Sequence, residues 1–332
     1  MPSTRAHSRP FEHAWHDALY GPKGFYRTAA PVEHFRTSAH ASPLLAKALA
    51  RLARECGLSG VVDIGSGRGE LLNALADVGP GLELVGVDVV PRPTSLLPSA
   101  RWVDSPGGPD LPDLGGAAEG ALVVANEWLD DVPCPVLQVD DRGRLRVVHT
   151  TREGSQTLGD PPTAPDLEWV RRWWPVDGAP PGTRVEVGRS RDLAWASLVR
   201  QAHNSVLVAI DYAHHAASRP PTGTLVGFRA GRQVAPVPDG SCDITAHVAM
   251  DAVAEATPDV TSSVLTTQRE ALQLLGITAE PPPHALATQD PTAYLAALAN
   301  AGEAGELLAR DGLGGFVWLV QSRGPQVPPL CP

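Results

Sequence analysis

The chain has 332 residues, 43% hydrophobic and 19% charged, with 32 glycines, 33 prolines and a formal net charge of −10. This composition excludes global disorder and a fibrous repeat, and it allows one large domain or two ordinary ones. The acidic balance argues against a general nucleic-acid binder, and no apolar run reaches the length of a transmembrane helix. Residues 1–40 read as irregular, with interspersed aromatics and histidines and none of the apolar stretch of a signal peptide. SPLLAKALARLAREC (42–56) has helical spacing, with Ser42 as N-cap, Pro43 in the first turn and Gly57 as the stop. VVDIG (61–65), ELVGVDV (83–89), ARWVD (100–104) and ALVVANE (121–127) read as short buried strands, with a helix at 70–78. Continuous apolar strands alternating with helices predict a parallel sheet covered on both faces, a doubly wound α/β fold.

The alternation breaks after Glu127. VLQVDDRGRLRVVHT (136–150) predicts a hairpin turning at Asp140–Gly143, and LEWVRRWW (167–174) a short helix. These place an insertion at 134–182, suited to acceptor specificity or to dimerisation. The α/β pattern is expected to resume with TRVEV (183–187), a helix at 190–203 and a strand at 205–212. DITAHVAMDAVAEAT (243–257) is expected to be helical, with Asp243 or Thr245 as a cap and His247 as a structural histidine. A strand, two helices and a final strand, GGFVWLVQS, close the chain. The resulting division is 1–57 as an N-terminal segment covering the site, 58–133 as the cofactor-binding half, the insertion, and 183–332 as the second half. Cys56, Cys134, Cys242 and Cys331 form no CxxC pair and fit the reduced thiols of a cytoplasmic protein. His214-His215 lacks a third ligand at suitable spacing, so no metal is expected.

The most informative stretch is Asp63-Ile64-Gly65-Ser66-Gly67-Arg68-Gly69-Glu70, a strand that ends in a glycine turn and opens a helix. Glycine suits a turn that needs positive φ and a ligand lying on the backbone, and the helix start presents free N–H groups. Asp88, followed by Val89, closes the next strand about twenty residues on, where an acid accepts from ribose hydroxyls. The third glycine comes one residue earlier than in the dinucleotide fingerprint G-x-G-x-x-G. D-x-G-x-G-x-G is the form shown by S-adenosylmethionine (SAM) methyltransferases, with Asp63 placed to receive the cofactor's ammonium. A tight turn with no ligand is the bland alternative. Asp104 ends the third strand and either accepts from the adenine amino group or is a solvated loop residue.

ALVVANEWLDDVP (121–133) resembles the N-E-F-F-D-A-L-P stretch of MidA-type methyltransferases, a family that includes the mitochondrial complex I assembly methyltransferase. Phe35-Arg36-Thr37-Ser38 with Ser42-Pro43-Leu44 is similar to its "F-x-T-S…S-P" segment, and Ile210-Asp211-Tyr212 to its "I-D-Y-G". Gly223-Thr224-Leu225, Asp243-Ile244-Thr245-Ala246-His247-Val248, and Thr267-Gln268 with Leu275-Gly276-Ile277 resemble its "G-T-L", "D-I-T-A-H-V" and "T-Q…L-G-I". The resemblance spans about residues 20 to 320. Asp63 stands where the family usually has glutamate, Ala213 replaces the glycine of I-D-Y-G, and Phe228-Arg229-Ala230-Gly231 stands where a histidine is usual.

The resemblance implies a class I SAM-methyltransferase fold: a Rossmann-like doubly wound sheet with an N-terminal helical segment and an inserted hairpin and helix. It implies SAM as cofactor and methyl transfer to a protein side chain, arginine first. Thr37 and Ser38 are lid residues on this resemblance alone. The cofactor set is Asp63, Gly65, Ser66, Gly67, Gly69, Asp88, Val89, Asp104 and Asn126. Glu127 and Asn126 end the fourth strand, at the crevice of an open sheet. Glu127 is expected to orient or deprotonate the acceptor, with Asp130 as a second acid facing a guanidinium. Asp211 and Tyr212 end the next strand and complete the catalytic set, while Asp131 reads as a helix-capping carboxylate. A protein acceptor is the expected partner, with no nucleic acid, membrane or metal; a homodimer is an alternative use of the insertion. Rival functions are a small-molecule methyltransferase and a non-catalytic SAM-binding assembly factor. An NAD-dependent oxidoreductase is disfavoured by the shortened glycine motif.

Overall fold

The computed structural model describes residues 8–28, 43–327 and 330. The N-terminal stretch expected to be irregular is helical where it is described, forming α1 (Phe11–Tyr20) and α2 (Phe25–Thr28). Phe11, Trp15 and Leu19 recur at helical spacing and are buried, so the periodic signal lies in the aromatics themselves. Thr37, Ser38 and the expected cap Ser42 fall outside the described residues. α3 (Pro43–Glu55) starts on a proline, whose missing N–H costs nothing in a first turn, and turns Leu45, Leu49 and Leu52 inward.

β1 (Gly60–Ile64), α4 (Glu70–Val78), β2 (Glu83–Asp88), β3 (Arg101–Asp104) and β4 (Ala121–Asn126) follow the expected alternation. The chain then leaves this layer. β5 (Val136–Val139) and β6 (Leu145–Thr150) form the expected hairpin, and the Asp140 carboxylate accepts from the backbone N–H groups of Arg142 and Arg144 at its turn. β7 (Gln156–Leu158), α5 (Ala164–Trp173) and β8 (Arg184–Glu186) follow.

One expectation fails here. β8 does not resume the main sheet but pairs antiparallel with β5. The inserted unit is thus a second sheet that extends past residue 182 and takes Arg9–Pro10 as a further strand beside β6. Leu137, Trp169, Trp174 and Val185 form its small core.

α6 (Arg189–Gln201) and β9 (Ser205–Asp211) return to the main layer. β10 (Val226–Arg229), β11 (Arg232–Val234) and β12 (Asp243–Thr245) make a three-stranded antiparallel sheet. The helix expected over 243–257 is therefore only α7 (Met250–Glu255). Residues 243–245 have a strand partner in 226–228 and bury Ile244 beside Trp15 and Phe25, and this tertiary pairing overrides the local helical pattern. β13 (Ser262–Thr267), α8 (Gln268–Leu274), α9 (His284–Gln289), α10 (Pro291–Leu307) and β14 (Val317–Arg323) complete the described chain.

The main sheet has seven strands in the order β3-β2-β1-β4-β9-β14-β13. β14 runs antiparallel to both its neighbours, while the pairs from β3 to β9 are parallel. Leucines of α3, α4 and α8 pack on one face, and residues of α6 and α7 on the other. From β1 the chain moves outward through β2 and β3, then crosses to β4 and β9. Strand order therefore reverses between β1 and β4, and the crevice that such a switch opens lies beyond their C-terminal ends.

Candidate active site

The strand ends and the loops that follow them enclose a cavity of about 480 Å³, within the usual range for small-molecule sites. Its floor is the glycine turn after β1. Gly65, Gly67 and Gly69 have φ of 72°, 58° and 78°, a left-handed conformation that side chains disfavour. The Gly65 and Ser66 N–H groups donate to the Val87 carbonyl at 2.9 and 3.2 Å, locking the turn against β2. A Cβ on Gly67 would meet only the Glu70 Oε2 at 3.4 Å, so its open side faces the cavity. One on Gly69 would strike the Leu96 Cδ1 at 2.6 Å.

Two carboxylates flank this turn. Asp63 is buried and accepts the Ser66 hydroxyl at 2.7 Å. Burial, with the Asp88 and Glu70 charges adding, pushes its carboxyl up to about 7. Asp88 lines the cavity and accepts the Gly67 N–H at 2.8 Å on one oxygen and the Val90 N–H at 3.0 Å on the other. Burial raises it to about 6 against these two bonds. Val89 also lines the cavity. Asp104 does not: it is exposed at the end of β3, while Ser105, Gly107 and Gly108 reach the cavity instead. The adenine role expected for Asp104 is corrected accordingly.

β4 ends in Asn126 and Glu127 follows it, both on the cavity wall. The Asn126 amide donates to Glu127 at 3.2 Å, and its carbonyl oxygen is buried with no partner among the described residues. Glu127 has φ of 52°, a strained value for a residue with a side chain, and its N–H donates to the Ile210 carbonyl at 2.8 Å. Such strain persists only where surrounding structure imposes it, and it concentrates at functional sites. Tyr212 lies on the rim, 37% exposed, against Phe316 and stacked on His247.

Beyond β4 the wall is acidic. Asp130, Asp131 and Asp243 all border the cavity. Asp130 is buried and accepts the Thr245 hydroxyl at 2.7 Å. The Tyr26 hydroxyl is wedged between the carboxyls of Asp131 and Asp243, and the Tyr20 hydroxyl donates to the Asp131 carbonyl at 3.1 Å. Asp131 therefore caps no helix, and Asp243 belongs to a strand. Tyr26 has one proton for these two acceptors. Burial, followed by the charges of Asp243 and Asp130, pushes Asp131 well above the carboxylate range, and burial followed by the Asp130 charge pushes Asp243 up to about 7.

Asp211 departs from its expected place. It is fully buried, does not line the cavity, and accepts the Leu129 N–H at 3.0 Å. Its direct contacts are with the loop that carries Asp130, not with a ligand space.

Sequence reasoning passed over several residues of this site. Arg191 on α6 is buried and donates to the carbonyls of Val132, His247 and Asp130 at 3.0, 2.9 and 2.7 Å. It thereby ties two motif segments, 126–133 and 243–248, into one wall. Glu186 of β8 does the same for Thr224 and Leu225, accepting both their N–H groups. Tyr20 and Tyr26 come from the segment read as irregular. Its aromatic helical spacing was the available signal.

The chain matches the family model described as "Putative S-adenosyl-L-methionine-dependent methyltransferase" over residues 90–267, more than half its length. It belongs to this family. The match takes in β4, β9, β12 and the acidic wall; the glycine turn and Asp88 precede it. A structure from Burkholderia thailandensis bound to S-adenosyl-homocysteine (SAH) is 27% identical, with a TM-score of 0.75, covering 96% of this chain and 89% of that one. A native structure from the same organism gives the same identity and TM-score, with 88% of that chain covered. Among the curated proteins there is no significant match. The chain is a SAM-dependent methyltransferase of class I fold. Among the described residues of this methyltransferase, no group of three or more His, Cys, Asp or Glu is placed to hold a metal ion. No described helix is long and apolar enough to cross a membrane.

The cavity fits SAM by its donor set. A glycine turn leaves backbone room, a buried acid and an unpartnered amide oxygen suit an ammonium, and Asp88 offers a paired acceptor beside them.

Proposed function

We propose that the chain is a MidA-type enzyme that methylates a protein side chain, arginine first. The observation that carries this reading is the acidic wall: Glu127, Asp130, Asp131 and Asp243 border the same cavity as the glycine turn. A closed apolar pocket would suit a neutral metabolite, whereas clustered carboxyls suit a planar, delocalised cation that carries several donors. The segments that resemble the MidA motifs also supply Asn126, Glu127, Asp130, Tyr212, Asp243 and Thr245 to this one cavity.

In this reading Gly65 and Gly67 let the cofactor lie against the backbone, with Asp63 and Asn126 toward its amino-acid end and Asp88 toward its sugar; Gly69, expected in this set, lies off the cavity and packs against Leu96 instead. When bound, SAM supplies a methyl group activated by a sulfonium charge. The chain's own task is then positioning and exclusion of water. Asp130 and Glu127 orient the guanidinium, and Glu127 accepts the proton that the nitrogen loses as its new bond to carbon forms. Tyr212 packs on the aliphatic stem at the rim.

The test incubates the protein with tritiated SAM and protein extract from cells that lack it, followed by acid hydrolysis and amino-acid analysis. Label in methylarginine, lost in Glu127→Gln, is expected. Label confined to small molecules would overturn the protein-acceptor reading, and label in another residue would overturn arginine.

A further inference from the structure

The amino-acid end of SAM carries an ammonium and a carboxylate. Asp63 and the Asn126 amide oxygen suit the first; the second needs donors, in a cavity whose wall is acidic. A turn that opens a helix is a ready source, because it presents N–H groups to an anion. This turn has none left over. The Gly65 and Ser66 N–H groups donate to the Val87 carbonyl, that of Gly67 to Asp88, that of Arg68 to the Glu70 carboxylate at 3.0 Å, and that of Gly69 to the Ser66 carbonyl at 2.8 Å. Hydroxyls on the cavity are engaged as well: Ser66 donates to Asp63, Tyr26 to the Asp131 and Asp243 carboxyls, and Thr245 to Asp130. An anion laid on this turn has to be met by a side-chain cation.

Among the described residues, the cations that border the cavity are Arg27 and Arg68. Arg27 is already engaged. Its Nε donates to the Tyr20 carbonyl at 3.0 Å and a terminal nitrogen to the Val89 carbonyl at 3.3 Å, which lies next to Asp88 and so on the sugar side. Arg68 stands between Gly67 and Gly69, exposed at the cavity edge, and its guanidinium meets no acceptor among the described residues. Its backbone is held on both sides, by its own N–H bond to Glu70 and by the Gly69 bond to Ser66. We propose that Arg68 binds the carboxylate of the cofactor's amino-acid end. A guanidinium presents paired N–H donors that match a carboxylate, and its charge offsets the repulsion that the acidic wall imposes on an anion. The glycines of the turn supply room, and the one long side chain within it supplies the charge. The inference rests on the placement of the amino-acid end beside Asp63 and Asn126, and it is independent of what accepts the methyl group.

Titration calorimetry with two ligands tests this: SAH, and decarboxylated SAH, which keeps the nucleoside, the sulfur and the ammonium but has no carboxylate. Wild type should bind SAH about 10–100-fold more tightly than the decarboxylated ligand. Arg68→Gln should weaken SAH by a similar factor and leave decarboxylated SAH within about twofold of wild type. Arg68→Lys, which keeps the charge and loses the paired donors, should fall between the two. The Arg68 side chain is exposed and bonds to nothing in the described fold, so the variants should melt as the wild type does. Equal weakening of both ligands in Arg68→Gln, or no weakening of SAH, would overturn the assignment. So would Arg27→Gln abolishing the preference for SAH, which would put the carboxylate under α2. A wild type that binds the two ligands alike overturns the proposal without any variant, together with the placement of the amino-acid end.

Discussion

Asp88 is the residue at which the cofactor assignment is most exposed to disproof. Its two oxygens accept the Gly67 and Val90 N–H groups at 2.8 and 3.0 Å, and its carboxyl is pushed up to about 6, so at pH 8 it is ionised. Asparagine in its place keeps the shape but turns an NH2 toward one of those N–H groups. A donor then faces a donor, and a bond to a charged acceptor is lost. Such a loss is worth about 1.5–3 kcal/mol of folding stability. The sugar hydroxyls that Asp88 is proposed to hold face the same loss of a charged acceptor, worth roughly 10–100-fold in affinity. Titration calorimetry of wild type and Asp88→Asn with SAH at pH 8, with NAD as control, should show weakening of that size and no NAD binding. Wild-type affinity should also fall as pH drops through 6, because protonation removes an acceptor, and this fall should be shallower in the variant. A dissociation constant for Asp88→Asn within about twofold of wild type, or NAD bound as tightly as SAH, would refute the reasoning.

Three further outcomes are expected. Gly69→Ala places a Cβ at φ 78° and 2.6 Å from the Leu96 Cδ1; it should cost about 1–2 kcal/mol in backbone strain alone, and an unchanged Tm by scanning fluorimetry would count against the turn geometry. Arg191→Met strands three carbonyls that the guanidinium now satisfies. It should cost roughly 3–5 kcal/mol in denaturant unfolding, and a loss under about 1 kcal/mol would show that the wall holds itself. Tyr26→Phe removes the hydroxyl shared by Asp131 and Asp243; transfer measured with tritiated SAM should drop about tenfold while SAH affinity stays put, and a matching loss in both would move Tyr26 to the cofactor side.

The sequence makes the cofactor half legible because its signals are local. The glycine turn needs φ values that only glycine adopts readily, and an apolar run followed by Asp63 or Asp88 announces a strand end. The acceptor half rests on long-range pairing instead. Asp243 looks like a helix cap until β10 supplies a strand partner. Asp211 looks like a crevice acid until its burial and the Leu129 N–H turn it inward. Asp104 holds a strand-end position that the motif favours, yet the loop behind it, not the acid, reaches the cavity. Arg191 resembles any charged residue of a surface helix; only three converging carbonyls reveal its task. No window of neighbouring residues contains that information.

The placement of β14 between β9 and β13 bears on synthesis. β13 is made some fifty residues earlier, yet its ladder partner in the main sheet is β14. On the ribosome, residues 262–267 must wait as an unmatched edge while three helices emerge, a non-local arrangement that slows assembly and invites wrong partners. Chaperone demand during translation should therefore peak between the appearance of these two segments, and substitutions in β14 should lower yield more than their effect on the finished protein's melting would suggest.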